Sequence, residues 1–199
     1  MPDVTQPARL AGQADVETVA EIITRSFVDD PVWGPAYAAA LGEGPRAIWR
    51  LEVDAALRVG STWLSAGDEA AAVWLPPGRT TFDAAEMQAY LAFLAEVLGS
   101  GYERVAALHG RFEASEPPEP HYYLSMLGTH PDHRGHGHGI RLLTETLARV
   151  DAEGMPGYLE STNPANNARY ERLGFDVTGR FEGYTTGSVV TTMWRSARG

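Results

Sequence analysis

The stretch Tyr122–Gly139, YYLSMLGTHPDHRGHGHG, limits the possible folds more than any other. It opens with an apolar run, Tyr122 to Leu127, of a length that suits a buried strand. Gly128 and Pro131 close that run. Gly135, Gly137 and Gly139 then fall at alternate positions, and directly behind them Ile140, Leu142, Leu143, Leu147 and Val150 recur at helical spacing. The order is strand, glycine-rich loop, helix. Alternate glycines remove Cβ atoms that would hold a ligand off the backbone, and they permit positive φ. The helix start adds unpaired N–H groups and the positive end of its dipole, which suit an anion such as phosphate. Arg134 can fork onto a phosphate oxygen. The expected anion site is therefore Arg134 with the amides of Gly135, His136, Gly137, His138, Gly139 and Ile140. No Gly-Lys-Ser or Gly-Lys-Thr follows, so the loop is not a P-loop. A dinucleotide fingerprint would need an acidic residue closing the second strand. Glu160, about 20 residues on, keeps that rival open.

A second segment has its own character: Leu159-Glu160-Ser161-Thr162-Asn163-Pro164-Ala165-Asn166-Asn167, then Ala168-Arg169-Tyr170-Glu171-Arg172-Leu173-Gly174-Phe175. It reads as strand, asparagine, short helix and a closing Leu-Gly-Phe. With Arg134-x-x-Gly137-x-Gly139 ahead of it, the pair resembles the acetyl-CoA-binding half of the GNAT superfamily of acyl-CoA N-acyltransferases. The resemblance is specific over Tyr122 to Phe175. Val73-Trp74-Leu75-Pro76-Pro77, Pro131-Asp132-His133 and Tyr170-Glu171-Arg172-Leu173-Gly174-Phe175 are most similar to the puromycin N-acetyltransferase branch. It implies an α/β fold with a mixed, mainly antiparallel sheet. Strands near 122–128 and 157–161 would splay around an acetyl-CoA cleft. It also implies that Met126, Leu127 and Gly128 face the pantetheine arm, and that Asn163 and Asn167 sit beside the cofactor.

Composition narrows the function further. The chain has 199 residues, 44% of them hydrophobic, which suits one domain over 1–199 with a real core. It would have an acceptor-site part over 1–112 and a cofactor part over 121–199. There is no cysteine, so no disulfide, zinc ribbon or acetyl-cysteine intermediate is available. The formal net charge is −10, which argues against nucleic acid and favours cationic small molecules or basic peptide ends. No stretch is long and apolar enough to span a bilayer, and MPDVTQPARL lacks the apolar segment of a signal peptide, so a cytoplasmic protein is expected. A monomer and a homodimer are equally open. His130, His133, His136 and His138 crowd the loop, but without cysteine or clustered acid the expectation is no metal site.

Along the chain, Thr5 to Leu10 reads as a short edge strand. Asp15 caps a helix over Val16 to Phe27 that Asp29-Asp30-Pro31 stops. Pro31 to Pro45 is a loop with short helical pieces. Arg46 to Val59 is helical, Thr62–Ala66 and Ala70–Leu75 form a hairpin, and Phe82 to Leu98 is a helix with Asp83 as cap. Tyr102 to Phe112 is helical, and EASEPPEP (113–120) is a surface connector. The last strands are 175–180 and 189–195.

Direct acyl transfer to an amine requires a held thioester, an amine that loses its proton and a thiolate that receives one. Tyr170 stands where the resembling family keeps a tyrosine near the cofactor sulfur, so it is the candidate acid. A bulge in strand 122–128 would aim an N–H at the thioester oxygen. Glu160 is the leading candidate base, with a buried structural carboxylate as the competing role. Glu52, His121 and a water relay are the others. Trp33 lies where the resembling family lines its acceptor site, and Trp74 is a second candidate for that lining. The resulting expectation is an acetyl-CoA-dependent N-acetyltransferase for a primary amine of a small molecule, such as an aminonucleoside. The alternatives are a protein or peptide amine acetyltransferase and a non-catalytic acyl-CoA sensor.

Overall fold

The computed structural model describes residues 6–40 and 43–198. The chain starts with β1 (Arg9–Leu10), α1 (Val16–Phe27), α2 (Trp33–Tyr37), α3 (Gly44–Val59), β2 (Thr62–Leu64) and β3 (Ala70–Leu75). Then come α4 (Ala84–Leu98), α5 (Tyr102–Ser115), β4 (Tyr122–Thr129) and α6 (His138–Ala152). It ends with β5 (Gly157–Ser161), α7 (Asn167–Arg172), β6 (Asp176–Glu182) and β7 (Val189–Arg195). The seven strands form one sheet in the order β1-β2-β3-β4-β5-β7-β6. Every pairing is antiparallel except β4 with β5. The expected mixed α/β architecture is therefore the observed one. Of the expected first strand, Arg9 and Leu10 pair with β2, and Thr5 lies outside the described residues.

Helices cover both faces. On one, Val19 and Ile23 of α1, Ile48 and Val53 of α3, and Leu94 and Leu108 of α4 and α5 bury against Ala71, Val73 and Met126. On the other, Leu142, Leu143 and Leu147 of α6 bury against Ala70, Ala72, Trp74, Leu124 and Leu159. Local signals set the ends of the helices. The Asp83 carboxylate accepts from the amides of Ala85 and Glu86, and Glu86 reciprocates to the Asp83 amide, closing a capping box on α4. Gly60 ends α3 at φ 80°.

Two departures from regularity make the site. The first is a bulge: Val73 pairs with Met126 and Trp74 with Leu124, so Ser125 is the extra residue on β4. The bulge resets the alternation. Leu124 packs toward α6, whereas Met126, two residues on, packs toward α1 and α3. The second is a splay. β4 and β5 pair only over Tyr122–Leu124 and Gly157–Leu159. Beyond that point β4 stays with β3 and β5 stays with β7, so the β5-facing edge of β4 from Ser125 onward has no strand partner.

Candidate active site

The splay opens into a cleft of about 1490 Å³. Its cofactor end is the glycine loop. Gly135 and Gly137 adopt φ of 84° and 81°, and a Cβ at either would enter open space. Gly137 is the N-cap of α6, which leaves the amides of His138, Gly139 and Ile140 without helical partners at the cleft. These three glycines therefore serve two purposes. Gly135 and Gly137 give left-handed backbone beside free space, while Gly139 permits close approach, since its Cβ would meet Thr129 Oγ1 at 2.6 Å. Gly128 also serves packing: a Cβ there would meet Ser26 Oγ at 2.6 Å and Ile23 Cδ1 at 3.2 Å. The loop is braced by the β2–β3 turn. The His130 amide donates to the Glu69 carbonyl at 2.8 Å, and His138 Nδ1 lies 3.6 Å from Glu69 Oε2. Arg134 lines the cleft and donates from Nη2 to the Ser26 carbonyl, which ties the loop to the end of α1 and leaves other guanidinium donors for a ligand.

The open edge of β4 and this cradle fit acetyl-CoA by two physical criteria. An extended amide-bearing arm adds to an unpaired strand edge as another strand would. A pyrophosphate suits the start of α6 beside Arg134. Met126, Leu127 and Gly128 contribute to the cleft wall, and the Met126 side chain is core. Asn163 lines the cleft while its Oδ1 caps the next turn by accepting from the Ala165 amide.

Three expectations need correction. Trp74 is 1% exposed and packs with Ala72, Leu124 and Leu142 on the α6 side, so it is a core residue and no part of the cleft wall. The His136 side chain turns outward, with Nδ1 3.0 Å from the Arg134 carbonyl, and is not in the wall. Asn167 donates to Thr191 Oγ1 and braces α7 against β7 without lining the cleft.

Glu160 and Tyr170 both line the cleft. Glu160 is half-buried on β5 and accepts from the Tyr158 hydroxyl at 2.9 Å, while its Oε2 is buried with no hydrogen-bond partner. Burial pushes its carboxyl up to about 7. The Tyr123 and Tyr158 phenols oppose the shift, and the charge of Glu116 adds to it. A carboxyl near neutrality is a competent base at neutral pH. Tyr170 packs against Phe175, and burial together with the Asp30 charge raises its phenol to about 12. It stays protonated throughout the neutral range. The Arg195 guanidinium forks onto Asp151 at 2.5 and 2.8 Å and donates from Nε to the Leu173 carbonyl, which ties the end of α7 to β7.

The other end of the cleft is aromatic. Trp33 stacks on Phe112 at 5.3 Å and meets Trp49 edge-on at 5.8 Å, and Phe82 stacks on Tyr90 at 4.7 Å. Glu52 lies among these rings and accepts a very short hydrogen bond from the Tyr90 hydroxyl. Burial pushes its carboxyl up to about 7, against the opposing phenols of Tyr90 and Tyr37. His109 lines the same end, and burial lowers its imidazole to about 4, so it is neutral at pH 7. The third candidate base, His121, is buried, with Nδ1 2.6 Å from the Glu119 carbonyl and its ring against Tyr158. Asp30, read from the sequence only as a helix stop, links these parts. Oδ1 accepts from the amides of Val32 and Trp33, and Oδ2 from the Thr162 hydroxyl. Ser125, Asp30, Tyr90 and His109 were not singled out in the sequence. Of these, only Tyr90 carried a signal, a phenol on the apolar face of a helix.

Comparison with known proteins agrees with this geometry. Residues 63–175 match the acetyltransferase (GNAT) family, and the chain belongs to it. Similar solved structures include one from Corynebacterium glutamicum described as histone acetyltransferase HPA2 and related acetyltransferase. It has 22% identity and a TM-score of 0.65, with 97% of each chain covered. A polyamine N-acetyltransferase of Drosophila melanogaster that forms N-acetylagmatine has 15% identity and a TM-score of 0.64, over 95% of this chain and 98% of that one. An arylalkylamine N-acetyltransferase of Aedes aegypti has 12% identity and a TM-score of 0.71, over 95% and 97%. At these identities the three likenesses establish the shared fold. Among the described residues, no helix is long and apolar enough to cross a membrane.

Proposed function

We propose that this chain transfers an acetyl group from acetyl-CoA directly to a primary amine of a small molecule. One observation carries the reading. The unpaired edge of β4 runs from the glycine cradle to the place where Glu160 and Tyr170 face one cleft. Acetyl-CoA, when bound, supplies the acyl thioester. The amides of Gly135 to Ile140 and Arg134 hold its pyrophosphate, and Met126 and Leu127 present backbone groups to its arm. The bulge at Ser125 takes that residue out of the ladder with β3 and gives a backbone N–H for the thioester oxygen.

Glu160 then takes the proton that the amine sheds as its nitrogen bonds the acyl carbon and the carbon–sulfur bond breaks. The Glu160 carboxylate, which lines the cleft, is the receiving group. Tyr170 donates a hydrogen bond to the departing sulfur. A phenol near 12 is a weaker acid than a thiol, so its main contribution is to stabilise the thiolate, with protonation completed as product leaves. The names of two structural relatives, a polyamine and an arylalkylamine N-acetyltransferase, support small amines as acceptors. The motifs shared with the puromycin branch add an aminonucleoside to the candidates.

The test is thiol release from acetyl-CoA against a panel of polyamines, arylalkylamines, aminonucleosides and basic peptides. Amine-dependent release with small amines is the expected result. Release with peptides alone would replace the acceptor class, and tight acetyl-CoA binding without release on any amine would indicate a sensor.

A further inference from the structure

Glu52 is a half-buried carboxylate at the cleft without a protein cation. On its own helix, Arg46 and Arg50 pair with Glu17, and Arg58 pairs with Asp54 and Glu86. No described arginine reaches Glu52. The Tyr90 hydroxyl donates to its Oε1, and the Tyr37 phenol lies beside the same carboxylate. Burying an acid in this way is costly unless something compensates the charge. The rings of Trp33, Trp49, Tyr90 and Phe112 wall the space in front of it. Aromatic rings attract a cation, and Trp33 and Phe112 are the two of these that keep some exposure at the cleft. His109 in the same wall is neutral and leaves Nε2 buried without a partner, so it does not compete for the acid.

The surrounding charge points the same way. Seven carboxylates line the cleft against three arginines: Arg134 at the cofactor loop, Arg169 on α7, and Arg79 in the segment between β3 and Phe82. Glu160, the base of the proposed reaction, faces the cleft from β5, while Glu52 faces it from α3. The cleft thus has two acids on separate elements, one at the transfer end and one in the aromatic end.

We infer that the acceptor carries two basic groups, a primary amine acetylated beside Glu160 and a second cation, ammonium or guanidinium, held by Glu52 between the aromatic rings. This rests on the acetyltransferase reading above and specifies its substrate class. Glu52 acts as a specificity residue: it sets which amine is accepted and how long the spacer between the two basic groups is. The apolar rings suit a methylene spacer, and one cationic end would be steered in by the acidic rim at Glu113, Glu116 and Glu119.

The experiment compares α,ω-diamines of increasing chain length with the monoamine of the same length, using kcat/KM with acetyl-CoA. The wild-type chain is expected to prefer a diamine roughly 10–100-fold over its matched monoamine, as fits one desolvated ion pair. In Glu52→Gln that ratio should collapse to near one, mainly through KM. Glu52→Asp keeps the charge but withdraws it, so the preferred diamine should become about one methylene longer, a shift that a merely structural role would not produce. Acetyl-CoA affinity and melting temperature confirm that each variant is folded. The inference is overturned if the wild type shows no diamine preference, or if the ratio persists in Glu52→Gln while kcat falls for both amines, which would make Glu52 a base. Should Glu52→Gln not fold, an unchanged optimum length in Glu52→Asp overturns it equally. Absence of acetylation on every amine would instead remove the underlying reading.

Discussion

Replacing Glu160 by Gln keeps the shape and removes only the proton acceptor. The carboxyl sits near 7, raised chiefly by burial. At pH 7 about half of the molecules carry the base form, and at pH 6 about a tenth do, so wild-type kcat/KM should fall roughly tenfold per unit below pH 7. Gln cannot accept the proton, and the loss should be about 10²–10⁴-fold at pH 8, leaving only the pH dependence of the amine itself. Stability gives an independent reading. The native carboxyl retains its proton up to about 7, while in the unfolded chain it loses it near its ordinary value of 4.5. Between those values the native state binds more protons, so this group's contribution to stability is fully present below about pH 4.5 and is lost as pH rises through 7. The shift corresponds to at most on the order of 3 kcal/mol. Gln has no such dependence. The melting temperature of Glu160→Gln relative to wild type should therefore climb from pH 5 to pH 8. Steady-state kinetics and thermal melts across that range measure both. A variant that keeps a third or more of wild-type kcat at pH 8 would refute the base assignment. A relative melting temperature independent of pH would refute the burial argument itself.

Further outcomes follow from the same geometry. Tyr170→Phe keeps the packing on Phe175 and deletes the donor, so kcat should drop about 10²-fold with acetyl-CoA affinity and melting temperature nearly unchanged. A fully active Phe variant would leave the ring as packing only. Gly137→Ala puts a Cβ on a residue at φ 81°, which should cost ~1–2 kcal/mol of stability and weaken acetyl-CoA binding at least tenfold by calorimetry. Unchanged affinity would move the phosphate site elsewhere. Trp33→Ala should raise the amine KM roughly tenfold, whereas Trp74→Ala, lying in the core, should lower stability by about 3–5 kcal/mol without singling out the amine.

The cofactor half was legible because its signals are local. Tyr122 to Val150 announces a strand, a glycine turn and an amphipathic helix within one short window, and β4, the loop and α6 occupy those places. The splay and the mainly antiparallel sheet came from resemblance to a family, since pairing between distant strands leaves no mark in local periodicity. Trp74 was misplaced for a specific reason. β3 is buried along both faces, so its sequence, AAAVWL, has no polar alternation to show which side faces the cleft. The bulge at Ser125 then places Leu124 and Met126 in different cores, although their spacing alone would put them together. Glu52 could be suspected as an acid four residues after Ile48 on the buried side of α3. That Tyr90, His109 and Trp33 gather around it depends on how α2, α4 and α5 pack, which single residues do not encode.

The most direct measurement of the central claim is single-turnover acetyl transfer with labelled acetyl-CoA, followed by mass spectrometry of the protein and of the amine. With an accepted amine, the label should pass to the amine at the rate of thiol release, with no acetylated protein at any time. Acetyl-protein that forms and decays at that rate would contradict direct transfer across the cleft between Glu160 and Tyr170.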